Sequence, residues 1–206
     1  MNIAVFPGSF NPLHTGHAML ASYVAQCVPE VDEVWMLVSP QNPLKADQEA
    51  VPPVDRLAPE ADRLEMALQG MADVPGVRVS DFEFTLPRPS FTYRTLCGLQ
   101  RAHPEHRLRL LIGSDNLLIF SKWRNSAEIL REFTPIVYQR PDMPVDPASL
   151  PAGVTLLSDV PQALISSTFV RHGLAAGLDM KHFVPWRVYT YIMCNGLYGV
   201  SPTKEL

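Results

Sequence analysis

Two spacings of apolar residues alternate along this chain. One is the short unbroken run: Ile3-Ala4-Val5-Phe6, Val34-Trp35-Met36-Leu37-Val38 and Leu108 to Ile112. Runs of that length predict strands buried on both faces, as in a parallel sheet. Val77-Arg78-Val79-Ser80, Pro135 to Tyr138 and Val154 to Leu157 add three shorter candidates. The other spacing is three or four. Met19, Leu20, Tyr23, Val24 and Cys27 mark one face of a helix. Leu64, Ala67 and Leu68 predict the inner face of a second, over about 58–68. Leu96 and Leu99 predict that of a third, capped by Ser90 or Thr92. Leu117 to Phe120 and Ala127 to Phe133 are two short helical pieces. A helix carrying Arg171 follows Ile165-Ser166-Ser167-Thr168. Trp186 to Met193 is an amphipathic helix, stopped at Asn195-Gly196.

Strands alternating with helices predict an α/β fold, a doubly wound parallel sheet with helices on both faces. Residues 1–206 read as a single domain with a helical C-terminal part over about 166–198. In such a sheet ligands bind at the carboxyl ends of the strands. The segments 7–17, 39–45, 81–92, 113–123 and 158–168 should therefore converge on one edge.

Composition narrows the function. Net charge is −4 with a pI near 5.8, and the 17 basic residues form no stripe. That predicts no nucleic-acid partner. No apolar run is long enough to span a membrane, and no basic residue precedes Lys45, so a signal peptide is not expected. Cys27, Cys97 and Cys194 are odd in number and form no CxxC, which predicts reduced thiols packed in a cytoplasmic protein. The 20 prolines cluster at 40–59 and 141–151, marking two long loops.

Chemistry concentrates in the convergent segments. Gly8 to His17 forms a strand-to-helix crossover holding two glycines and two histidines. Thr15 is the expected cap, so His17 falls by the first turn, where free N–H groups favour an anion. Each imidazole can donate to a phosphate oxygen. Zinc is disfavoured, since no Cys or acid nearby completes a tetrahedral set. Ser166, Ser167 and Thr168 open another helix, with Arg171 four residues beyond Ser167 on the same face. That guanidinium could grip a phosphate or be a solvated arginine. Asp115, after Gly113, suits either a ribose hydroxyl or a helix cap. Trp123 is either a stacking face or a core residue. Lys45 could reach a leaving pyrophosphate or be a solvated loop lysine. His103 and His106 read as a solvated turn.

These segments resemble the bacterial nicotinate-nucleotide adenylyltransferases of the nucleotidylyltransferase superfamily. The GxFxPxHxGH signature stands as Gly8 to His17 and the ISSTx[IV]R element as Ile165 to Arg171. Asp81-Phe82-Glu83, Pro89-Ser90-Phe91-Thr92 and Ile112-Gly113-Ser114-Asp115 with Trp123 match further elements. Asn42-Pro43-Leu44-Lys45 keeps a PPHK-like element in part, with Leu44 in place of its histidine. The resemblance implies a Rossmann-like nucleotidylyltransferase fold. It also implies transfer of AMP from ATP to nicotinate mononucleotide, with Mg²⁺ bound mainly through the phosphates. His14, His17 and Arg171 would be the catalytic set. Gly8, Ser9, Phe10, Lys45, Gly113, Asp115, Ile165, Ser167 and Thr168 would bind ATP. Asn42, Thr92 and Trp123 would bind the nicotinate nucleotide. The alternatives are another adenylyl- or cytidylyltransferase, such as a nicotinamide-nucleotide or phosphopantetheine enzyme, and a non-catalytic nucleotide-binding module. Oligomeric state stays open, a homo-oligomer included.

Overall fold

The computed structural model describes residues 1–40 and 51–203. Six strands form one all-parallel sheet: β1 (Asn2–Gly8), β2 (Glu33–Val38), β3 (Val77–Ser80), β4 (Arg107–Gly113), β5 (Ile136–Tyr138) and β6 (Thr155–Leu157). Their order is β3-β2-β1-β4-β5-β6. The order reverses between β1 and β4, which opens a crevice at their carboxyl ends. Seven α-helices cover the sheet: α1 (Thr15–Cys27), α2 (Glu60–Met71), α3 (Thr92–Ala102), α4 (Ser114–Leu118), α5 (Ser126–Phe133), α6 (Ser167–Ala175) and α7 (Trp186–Asn195).

The unbroken runs are strands because both faces are buried. Ala4, Phe6, Val34, Met36 and Val38 join one apolar cluster, whereas Ile3, Val5, Trp35 and Leu37 join the other. The sheet thus separates two cores, with α1, α2, α6 and α7 against the first and α3 and α5 against the second. Gly196, at φ +64°, ends α7 in the left-handed conformation, as Asn195-Gly196 foretells.

Three expectations about local detail give way. In α2 the inward face is Arg63, Met66, Ala67 and Met71, and Leu68 is exposed. Ala67 is buried and Leu64 packs against the core as expected, and Arg63 joins them because backbone carbonyls take its donors. Neither Ser90 nor Thr92 caps α3: Phe91 holds that position without a side-chain bond. The cysteines are free, but Cys27 and Cys194 lie on the surface and Cys97 is half-buried, so they are not core residues.

Candidate active site

At the carboxyl edge of the sheet lies a cavity of about 550 Å³, a usual size for a small-ligand site. Every candidate residue within the described part of the chain lines it, from Gly8 through Thr92, Asp115 and Trp123 to Arg171. Asn42 and Lys45 lie outside the described residues.

The first loop is built by its aromatic rings. A Cβ on Gly8 would stand 2.8 Å from the Phe10 ring, so glycine lets that ring fold under the strand end. Phe10 takes a left-handed backbone, φ +42°, and is 2% exposed. Such a conformation costs on the order of 1–3 kcal/mol for a non-glycine residue. It is held by edge-to-face contacts of the ring with Phe6 at 5.6 Å and His17 at 5.1 Å.

The two histidines form a reciprocal cap. His14, not Thr15, is the N-cap of α1. The His17 backbone N–H donates to His14 Nδ1, and the His14 backbone N–H donates to His17 Nδ1, both at 3.3 Å. The rings stack with centroids 3.6 Å apart. Thr15 is displaced from the cap because imidazole Nδ1 reaches the same donor and gains the stacking. An Nδ1 that accepts carries no proton, so each neutral ring bears its hydrogen on Nε2. Two Nε2–H donors are thereby left for the cavity.

Electrostatics agrees. Burial, then the Arg140 cation, lowers His14 from 6.5 to about 4. His17 is held well below its ordinary value by burial, then His14 and Arg140. Neutral donors result at pH 7. The sign of the pH effect follows. Below pH 6.5 the unfolded chain takes up protons that folded His14 refuses. Stability is full above that pH and is lost as pH falls toward 4, by roughly 3 kcal/mol for a shift of this size. His14→Asn should keep the helix cap and remove the titration. Urea unfolding at pH 7 and pH 4.5 is expected to show a smaller loss in the variant than in the wild type. Equal losses would mean that His14 is not held neutral.

Opposite the histidines is the start of α6. Ser166 is its N-cap and accepts from the Phe169 N–H at 3.1 Å. The Ser167 hydroxyl donates to the Pro12 carbonyl at 3.0 Å, tying α6 to the first loop. Arg171 is 5% exposed, which removes the solvated alternative. It donates to Val54 O at 2.7 Å, Asn11 O at 2.9 Å, Asp55 Oδ1 at 2.7 Å and Thr168 Oγ1 at 3.2 Å. Its fork therefore clamps the 3₁₀ turn Pro53–Asp55 and the first loop together.

Gly113 is the N-cap of α4, and no side chain caps that helix, so Asp115 is not a cap. A Cβ on Gly113 would collide with the Asp115 carboxylate. Asp115 Oδ1 is buried without a partner, and Oδ2 makes only a loose ion pair with Arg140 at 3.5 Å. Trp123 packs on Phe120, 5.3 Å between centroids, at the margin of the second core while also lining the cavity.

Arg63 and Arg140 escaped the sequence reading, and Glu83 was named there only as part of a motif, without a role. Arg63, 1% exposed, donates to Ser9 O, Ser39 O, Pro40 O and Ala58 O, joining the ends of β1 and β2. A charge amid the inward positions of an amphipathic helix was its only signal. Arg140 lines the cavity just past β5, a strand end left out of the expected convergence. Glu83 is 4% exposed beside Ser90 and Thr95. Among the described residues, His103, Glu105 and His106 could share a metal ion. They precede β4, at the opposite edge of the sheet.

Comparison with known proteins identifies the family and the fold. The model of the cytidylyltransferase-like family covers residues 5–173. A Bacteroides fragilis protein named "probable nicotinate-nucleotide adenylyltransferase" is 42% identical over 189 residues, spanning 92% of this chain and 90% of its own. A Bacteroides thetaiotaomicron protein of the same name is 42% identical over 192 residues, spanning 93% and 91%. Plasmodium falciparum nicotinic acid mononucleotide adenylyltransferase complexed with NaAD shares the fold, with a TM-score of 0.80 at 19% identity, over 97% of this chain and 98% of that one.

Proposed function

This chain belongs to the cytidylyltransferase-like family, in its nicotinate-nucleotide adenylyltransferase branch, and on that premise we propose that it transfers AMP from ATP to nicotinate mononucleotide, releasing pyrophosphate and forming deamido-NAD. The observation that carries the reading is the pair of neutral, Nδ1-engaged histidines facing the start of α6 across one cavity.

The attacking atom is a phosphate oxygen of nicotinate mononucleotide. It is largely ionised at pH 7, since the second pKa of a phosphomonoester is about 6. A general base is not required. The oxygen attacks the α-phosphorus of ATP, and the bond to the β-phosphate oxygen breaks. Catalysis then rests on orientation and on donors aimed at the charge that develops. The Nε2–H groups of His14 and His17 supply such donors. The first turn of α6, with Ser167, Thr168 and Arg171, binds the triphosphate, alongside Gly8, Ser9 and Phe10. Gly113, Asp115 and Ile165 take the adenosine end. Thr92 and Trp123 hold the pyridine, and Asn42 and Lys45 complete the set.

Mg²⁺ accompanies the ATP phosphates in this proposal, where it offsets their charge. Of the acidic side chains lining the described cavity, Glu83 is taken up by hydroxyls and Asp115 stands alone. The ion would be held by phosphates and water, in keeping with its reluctance to dehydrate, and the protein's part is to bind the phosphates. Among the described residues no helix is long and apolar enough to cross a membrane, consistent with a cytoplasmic setting.

A pyrophosphate-release assay over a panel of acceptors tests the reading. Release is expected with nicotinate mononucleotide. Release only with phosphopantetheine would place the chain elsewhere in the superfamily, and none with any acceptor would favour a binding module.

Arg171→Lys tests the far side of the site. One ammonium cannot reproduce the planar fork. Stability should drop by about 1.5–3 kcal/mol for each charged hydrogen bond lost, and ATP affinity should weaken with it. A folded variant that binds ATP as wild type does would assign Arg171 to the scaffold alone.

A further inference from the structure

Glu83 is a charged side chain buried in a place where burial is costly. Desolvating a carboxylate is tolerated only when its oxygens find donors. Here the Ser90 hydroxyl donates to Oε2 at 3.3 Å and the Thr95 hydroxyl to Oε1 at 3.1 Å. Burial raises its pKa, and the neighbouring hydroxyls of Ser39, Thr95 and Ser90 oppose the rise. The two hydroxyl donors suit the ionised form, which only accepts.

The two hydroxyls flank the start of α3: Ser90 precedes the helix and lines the cavity, and Thr95 lies in its first turn, outside that lining. Glu83 itself sits in the 3₁₀ turn Phe82–Thr85. The carboxylate is thus the knot where that turn meets the helix start. Its second effect is on α3. Ser90 is the nearest side chain able to cap that helix, but its hydroxyl points to Glu83. The helix starts at Phe91 without a side-chain cap, and a helix start keeps unpaired N–H groups until something accepts from them. Ser90, Phe91 and Thr92 all line the cavity.

We propose that Glu83 is a positioning residue for the pyridine nucleotide: by engaging the Ser90 and Thr95 hydroxyls it fixes the start of α3 and keeps its N–H groups uncapped for the carboxylate of the ring. The proposal rests on the reading that nicotinate mononucleotide binds at that end of the cavity. Glu83 touches no reacting atom, so its effect is confined to one substrate.

The test is steady-state kinetics of Glu83→Gln, with each substrate varied in turn. Glutamine keeps the shape but replaces one acceptor with a donor, so one hydroxyl must turn and can cap α3. The KM for nicotinate mononucleotide should rise about tenfold, the order of one lost hydrogen bond to a charged group, while the KM for ATP stays within about twofold of wild type on the same scale. Thr95→Val removes one of the two donors, from outside the cavity lining, and should raise the same KM with ATP unaffected. If Glu83→Gln does not fold, Thr95→Val alone decides. In the double variant Glu83→Gln/Ser90→Ala the effects should be less than additive, because both act on one hydrogen bond. Equal changes in both KM values, unchanged values in folded variants, or strictly additive effects would each overturn the proposal. Failure of the parent reading is distinct: the wild-type protein would then not turn over nicotinate mononucleotide at all.

Discussion

His17→Ala is expected to lower kcat by a factor of about 30 to 1000, the 2–4 kcal/mol that one donor to a developing oxyanion supplies. The KM for ATP should change far less. The asymmetry follows from what the ring does. Its Nδ1 already accepts from the His14 N–H, so only Nε2–H remains for a ligand. A neutral donor adds little to the binding of a triphosphate that has α6 and Arg171 beside it. It adds most when negative charge builds on the transferred group, because it stands preorganised by stacking on His14 and by the Phe10 edge. The variant also loses half of the reciprocal cap, worth about 1 kcal/mol of stability, so kcat must be compared well below its melting temperature. A folded His17→Ala enzyme with near wild-type kcat would remove His17 from the mechanism.

How far the sequence could carry this argument depended on the kind of signal. Strands at Ile3–Phe6, Val34–Val38 and Leu108–Ile112 were legible because a strand buried on both faces leaves no polar alternation. The convergence of loops followed from topology alone, and the described parts of the segments it named line the cavity, joined by the end of β5, which it left out. In α2 the inward places of Leu64 and Ala67 were legible, but the burial of Arg63 and the exposure of Leu68 were not. Buried Arg63 satisfies its donors on the carbonyls of Ser9, Ser39, Pro40 and Ala58, and no local pattern reports partners as far off as Ser9. Capping failed for the same reason twice. Thr15 and Ser90 are ordinary caps, but His14 competes for one donor and Glu83 captures the other hydroxyl. Polar side chains choose partners across the fold, and hydrophobic spacing does not record that choice.

The acid form of the pyridine nucleotide should be preferred over the amide by roughly a hundredfold or more in kcat/KM. The two substrates differ only at the ring substituent: a carboxylate accepts, whereas an amide also presents an NH₂ donor. The start of α3 offers donors and the positive end of its dipole. Arg124, which lines the cavity, lies 4.9 Å above the Phe91 ring and adds a cation to the same wall. The sequence shows no acid between Leu86 and Arg101, but the fold brings Glu83 into that wall from outside the window. That carboxylate could have served an amide. Its oxygens are instead engaged by the Ser90 and Thr95 hydroxyls, so an NH₂ placed there meets donors and leaves buried groups unpaired. Thr92→Ala should weaken the preference only modestly, because backbone N–H groups survive the change. Trp123→Ala should reduce turnover of both nucleotides alike, since stacking on an indole does not distinguish the substituents. The measurement is kcat/KM for each nucleotide at saturating ATP. Equal values in the wild type would mean that the wall around α3 does not read the substituent, and that the enzyme takes both forms.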